Sequence, residues 1–192
     1  MKAQFRIMAV FVAAIASGAT FSASAIDTVL GSDAGAQGTG GQVNFTGSIT
    51  DSACDITTES TNQDVDLGKW ASNYFKSTGT ETTKTPFHIK VKDCPSSVTK
   101  VSVLFEGQHD TADKDLLAVS GGAQGVAIQL LEADESTKIA LDNVSKEYPV
   151  NAGSEGEEGT ADLTFYANYR ATTDKVVAGD ANGVANFEMV YN

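Results

Sequence analysis

Along the 192-residue chain, apolar and polar side chains alternate in short runs separated by Gly, Asn, Asp and Ser. That pattern belongs to antiparallel strands with one buried face. It predicts strands over residues 42–50, 53–57, 65–67, 87–91, 98–105, 126–131, 138–141, 163–171 and 184–191. Helical periodicity is nearly absent, and the stretches that come nearest to it, 69–75 and 114–119, would each make about two turns or less. Seven to nine short strands with turn residues between them predict an all-β fold of two packed sheets, a β-sandwich.

The two ends of the pattern are unusual. Gly41, Val43, Phe45, Gly47 and Ile49 alternate with polar residues, so this strand would have one face apolar or empty and the other wet. By periodicity alone it is an ordinary first strand on its own core. Its position changes that expectation, because residues 26–41 before it are rich in Gly, Ala, Ser and Asp and read as a flexible arm. A strand carried on such an arm could leave its own domain and reach a neighbour. At the other end Phe187, Met189 and Tyr191 alternate with Glu188, Val190 and Asn192, and no residues follow for a further strand. A sandwich whose last strand lies beside a missing one exposes unpaired backbone and apolar side chains, and such an edge has to be covered. A strand donated by another chain would cover it.

Composition narrows the class further. Lys2 and Arg6, the apolar run 7–15 and the small triplet Ala23-Ser24-Ala25 form the pattern of a secretory signal peptide over residues 1–25, which places mature residue one at Ile26. The remainder is long enough for one domain with a sizeable core, giving an arm and strand at 26–50 and a domain at 51–192. Without the leader, 11 basic residues face 25 acidic ones, a formal charge of −14. Nucleic acid is therefore not an expected partner, since phosphate binding depends on clustered Lys and Arg. Export also makes oxidation the expected fate of Cys54 and Cys94, predicting one disulfide between them.

Catalytic chemistry finds no machinery in the sequence. His88 and His109 read as surface residues, and there is no Gly-x-Ser-x-Gly elbow, no His-Glu-x-x-His and no Cys-x-x-Cys. The acids of 110–115 lack the glycine and closing glutamate of a calcium loop. Trp70 and Tyr74 fit a core or rim role better than a sugar platform. Neither enzyme activity, cofactor nor metal is expected.

In this order and spacing the motifs resemble those of the type 1 family of chaperone-usher fimbrial subunits, over residues 40 to 192. Gly40-Gly41-Gln42-Val43-Asn44-Phe45-Thr46-Gly47, with Cys54 seven residues on, is similar to the family's donor segment and first cysteine. Asp66-Leu67-Gly68 resembles its short Leu-Gly motif. Phe87-His88-Ile89-Lys90-Val91-Lys92-Asp93-Cys94 resembles the strand that delivers the second cysteine. Leu163-Thr164-Phe165-Tyr166-Ala167-Asn168-Tyr169 is similar to the strand before the last hairpin. Tyr191 is penultimate and Gly179 fourteenth from the end, as in many members. The resemblance implies an immunoglobulin-like sandwich lacking its seventh strand, with a groove beside Phe187, Met189, Tyr191 and Asn192 and with Gly179 near it. It implies that Gly41, Val43, Phe45, Gly47 and Ile49 of one copy fill successive pockets of another, Gly47 taking the crowded one. A periplasmic chaperone would occupy the groove first, and an outer-membrane usher would exchange it for the next subunit of a homopolymer at the cell surface. The alternative role, a minor or adhesive subunit that binds a host glycan or other host receptor, stays open at this point.

Overall fold

The structure is a computed structural model that describes residues 40–47, 49, 53–152 and 158–191. The expected leader, the arm up to residue 39, part of the loop before Gly159 and Asn192 lie outside the described residues. The chain divides into two units, Met1–Gly47 and Ser48–Asn192. In the first, residues 40–47 carry no regular structure, and Val43 and Phe45 are 72% and 92% exposed.

The second unit is a sandwich of two antiparallel sheets. One contains β1 (Asp55–Ile56), β2 (Thr85–Cys94), β4 (Leu117–Ala118), β5 (Val126–Leu131), β6 (Lys138–Ile139) and β8 (Gly159–Ala171). Its order is β1-β2-β8-β5-β4, with β6 also on β5. The other has the order β7-β3-β9, built from β3 (Lys100–Gly107), β7 (Tyr148–Pro149) and β9 (Ala185–Tyr191). Alternation sends Ile89 and Val91 of β2, Leu163 and Phe165 of β8, and Val101, Val103 and Phe105 of β3 into one core. Rings meet edge-on at its centre, with Phe105 and Phe165 at 5.2 Å and 90°. Such contacts add about 0.5–1.5 kcal/mol beyond area burial.

Parity along β2 would turn Asp93 inward after Phe87, Ile89 and Val91. A register shift between Val91 and Cys94 prevents this, with Asp93 at φ 53°. Asp tolerates this left-handed conformation better than most residues. The extra residue lets Cys94 face the core and leaves Asp93 beside Lys92, Oδ2 to Nζ 2.5 Å. Cys94 then bonds Cys54 across a Cα–Cα distance of 4.2 Å. Strand β1 pairs with β2 only at Asp55↔Lys92 and Ile56↔Val91, so the disulfide supplies most of what holds this edge.

A buried carboxylate ties the sheets together at one end. Glu132, 3% exposed, accepts the Lys146 N–H and the Tyr148 hydroxyl, both at 2.7 Å. A buried charge is tolerable only when hydrogen-bonded in this way. His109 makes a second lock: Nδ1 is 2.5 Å from the Lys114 carbonyl and Nε2 2.8 Å from the Asp142 carboxylate. Both neighbours accept, so only the imidazolium can donate to both.

Several expectations change. Residues 65–67 run without strand pairing, and the expected helix at 69–75 shrinks to a 3-10 turn at Ser72–Tyr74. Residues 114–119 contain β4 instead of a helix, because Leu117 and Ala118 pair with Ile128 and Ala127. Pairing of this kind is non-local and overrides the local helix period. A four-residue helix at Thr58–Thr61 and strand β7 were not expected. Residues 42–47 and 49 are not a strand within the single chain.

Two measurements test these locks. Joint replacement of Cys54 and Cys94 by Ala is expected to cost about 2–5 kcal/mol in urea denaturation. The Lys114 carbonyl and then Asp142 hold the His109 pKa above its ordinary value. A folded-state pKa above the unfolded one gives stability that is full below about pH 6.5 and fades as pH rises through the raised value. The fall in melting temperature between about pH 6 and pH 8.5 should therefore shrink in His109→Gln.

Candidate functional site

Strand β9 pairs with β3 along its whole length, from Val101↔Tyr191 to Gly107↔Ala185. Its other edge has no strand partner among the described residues. Beside that edge runs a cleft of about 810 Å³. Its floor is the sandwich core seen from the side: Phe87 and Ile89 of β2, Phe105 of β3, Ile128 and Leu130 of β5 and Ala167 of β8. One wall is β9 and the residues before it, 181–187, and the other is Ile56 with residues 60–67. A buried strand would normally lie here, since an apolar floor and an unpaired edge are both costly to leave to water.

A tyrosine closes each end of the cleft. The Tyr191 hydroxyl donates to the Cys54 carbonyl at 3.2 Å, tying the end of β9 to the disulfide. At the other end the Tyr169 hydroxyl donates to the Ala181 carbonyl at 2.8 Å. Burial holds both phenols above the ordinary tyrosine range. Both therefore keep their protons, and their donor role, over the physiological range.

The far wall has little regular structure, and its shape comes from one turn. Gly68, at φ 75°, donates its N–H to Asp66 Oδ1 at 2.8 Å, and the Trp70 indole N–H donates to the Leu67 carbonyl at 2.8 Å. Leu67 is thereby packed against the core while Asp66 faces outward. The Asp66-Leu67-Gly68 motif is therefore a wall-shaping turn.

Phe187, Met189 and Tyr191 are half-buried with their side chains against the core, as alternation predicts. Gly179 lies apart from β9, in the connection from β8, where a Cβ would sit 2.4 Å from the Ala123 nitrogen. Its smallness thus allows two loops to touch and serves the groove only indirectly. Ile49 is fully exposed, at 103%, and Gly41, Val43, Phe45 and Gly47 are exposed in the unit that precedes it. Sequence reasoning missed the second wall and Leu117, Gly183 and Val184 at the far end. Val65-Asp66-Leu67 alternates over too few residues to announce a groove wall, and a bare edge leaves no local signature.

The fold and site define a class: a two-sheet sandwich left incomplete beside its last strand. A family model described as fimbrial protein matches residues 43–192. The chain is 37% identical over 175 residues to long polar fimbria protein A of Salmonella typhimurium (strain LT2), covering 89% of this chain and 94% of that one. Among solved structures, an antigen and type I fimbria protein of Burkholderia pseudomallei matches with a TM-score of 0.54 at 35% identity, covering 74% of this chain and 91% of that chain. The P pilus rod subunit PapA matches in fold, with a TM-score of 0.60 at 20% identity over 72% of this chain and 99% of its own. The chain belongs to the fimbrial protein family, and its fold is the incomplete immunoglobulin-like sandwich of pilus subunits. It is a structural subunit of a surface fimbria, assembled with other pilin subunits. No helix among the described residues is long and apolar enough to cross a membrane.

Proposed function

We propose that copies of this chain polymerise by donor-strand exchange, residues 41–49 of one copy filling the cleft beside β9 of the next. The observation that carries this reading is the apolar cleft on an unpaired strand edge in a chain whose own Val43, Phe45 and Ile49 alternate and stand exposed. Nine donor residues match residues 183–191 one for one if the donor runs antiparallel to β9. That direction gives the better ladder per residue. Gly41 then lies beside Tyr191, Phe45 beside Phe187, and Gly47 and Ile49 at the end lined by Leu117, Gly183 and Val184.

Burying Val43, Phe45 and Ile49 contributes about 1.5–3 kcal/mol each. Each new ladder hydrogen bond adds about 0.5–1.5 kcal/mol. Donor and groove are different surfaces, so the contact is heterologous and propagates as a filament without closing on itself. The same edge would be hazardous in a free subunit, which gives a periplasmic chaperone its role: it covers β9 until an outer-membrane usher exchanges it for the next subunit. Strand addition of this kind is the general mode of chaperone and pilin complementation. Residues 1–25 serve as the export signal in this scheme.

The reading is tested with a peptide of residues 40–49 and with Gly47→Arg in the full chain. The peptide is expected to bind the purified subunit and raise its melting temperature. Gly47→Arg is expected to abolish fibres under the electron microscope while export and chaperone capture persist, because an Arg side chain cannot enter a pocket occupied by one hydrogen. Fibres of ordinary length from that variant would refute the assignment of Gly47.

A further inference from the structure

We infer that a second cavity, at the Gly183 end of the groove, seats the body of the copy whose strand fills that groove, so that successive subunits meet body to body as well as strand to groove. The inference rests on the donor-strand reading above. The cavity measures about 410 Å³ and is lined by Trp70, Phe75, Ala123, Val177, Asp180 and Asn182 among others. It is continuous with the groove, since Leu67, Tyr169 and Asn182 line both.

Its wall is built rather than loose. The connection from β8 is stitched to residues 120–124 by paired backbone bonds, Ser120 with Asn182 at 2.7 and 2.9 Å and Gln124 with Val177 at 3.2 and 2.9 Å. Around this rigid wall, apolar side chains face solvent. Outside the donor segment, the exposed large hydrophobic residues are Ile56, Tyr74, Val144, Val177 and Val184. Ile56 and Val184 line the groove and Val177 the cavity, and Tyr74 stacks on the cavity's Trp70 at 5.0 Å. Four of the five thus lie along one continuous strip, which is the mark of a surface awaiting a partner.

Chain length says which partner. In the antiparallel register, Ile49 of the incoming strand ends beside Gly183. Cys54 follows five residues later, a reach of at most about 18 Å. The disulfide end of the donor's body must therefore stand over the cavity mouth. Charge agrees: at that end Lys92 is surrounded by Asp55, Asp93 and Glu158, one cation among three acids. The cavity rim carries Lys69, Lys76 and Lys175, none paired with a carboxylate among the described residues. Of the acids nearby, Asp66 and Asp174 already accept N–H bonds from Gly68 and Thr78, and Asp180 lines the cavity. In a chain of such negative charge, this is the end that repels an acidic neighbour least.

The test uses full-length subunits assembled into fibres, with Val177→p-benzoylphenylalanine as a photo-cross-linker. Cross-links from position 177 are expected to reach residues 53–55 or 92–97 of another copy. Cross-links confined to the same chain, or reaching other faces of the neighbour, overturn the inference. In parallel, Val177→Asp should leave the affinity for the 40–49 peptide unchanged and speed subunit loss from fibres about ten-fold, the size of one lost valine burial. Unchanged subunit loss also overturns it. Failure of the peptide to bind the unaltered subunit would instead overturn the donor-strand reading, and this inference with it.

Discussion

The free edge of β9 governs the rest of this molecule. A strand satisfied on one side by β3 and bare on the other leaves a row of backbone donors and acceptors beside an apolar floor. Water can solvate the polar row, but it cannot remove the cost of the exposed core. A second strand removes both costs at once. No described strand of the chain occupies that place, so completion of the sandwich and assembly with another copy become one event. Stability and polymerisation are thereby coupled without any catalytic group.

Such a gap has to be held open, because a sandwich with a missing strand would otherwise collapse onto it. The disulfide and the Tyr191–Cys54 bond pin one end, and Tyr169 bonded to Ala181 pins the other. Between them the Asp66-Leu67-Gly68 turn keeps the far wall in place with side-chain and indole hydrogen bonds. These are local devices that stand in for the sheet pairing this wall lacks. The groove is preformed in consequence, which spares an incoming strand part of the ordering cost of binding.

The surface around the groove extends the same logic. Exposed apolar side chains gather along the groove and its neighbouring cavity, while the outward positions of β9, Asn186 and Glu188, stay polar. A head-to-tail contact that begins with a strand therefore continues onto the bodies it joins. A strand alone would behave as a hinge; a seated body fixes the angle between subunits.

Much of this was legible in the chain itself. Alternation located the core strands β2, β3, β5, β8 and β9, since inward positions such as Ile89, Val103, Leu163 and Phe187 must recur every second residue to be buried. Two cysteines in an exported chain were sufficient for the disulfide. Alternation at Val43, Phe45 and Ile49 after a segment with nothing to bury pointed to a strand able to leave its domain. The short pairings β1, β4 and β7 were not legible, nor was the unstructured wall at residues 60–67, because two-residue strands and turns carry no period. Nor could local pattern show that Asp93 would bulge so that Cys94 faces inward, or that Tyr191 would meet Cys54. An empty place in a sheet is a relation among strands far apart in sequence, and only their packing makes it exist.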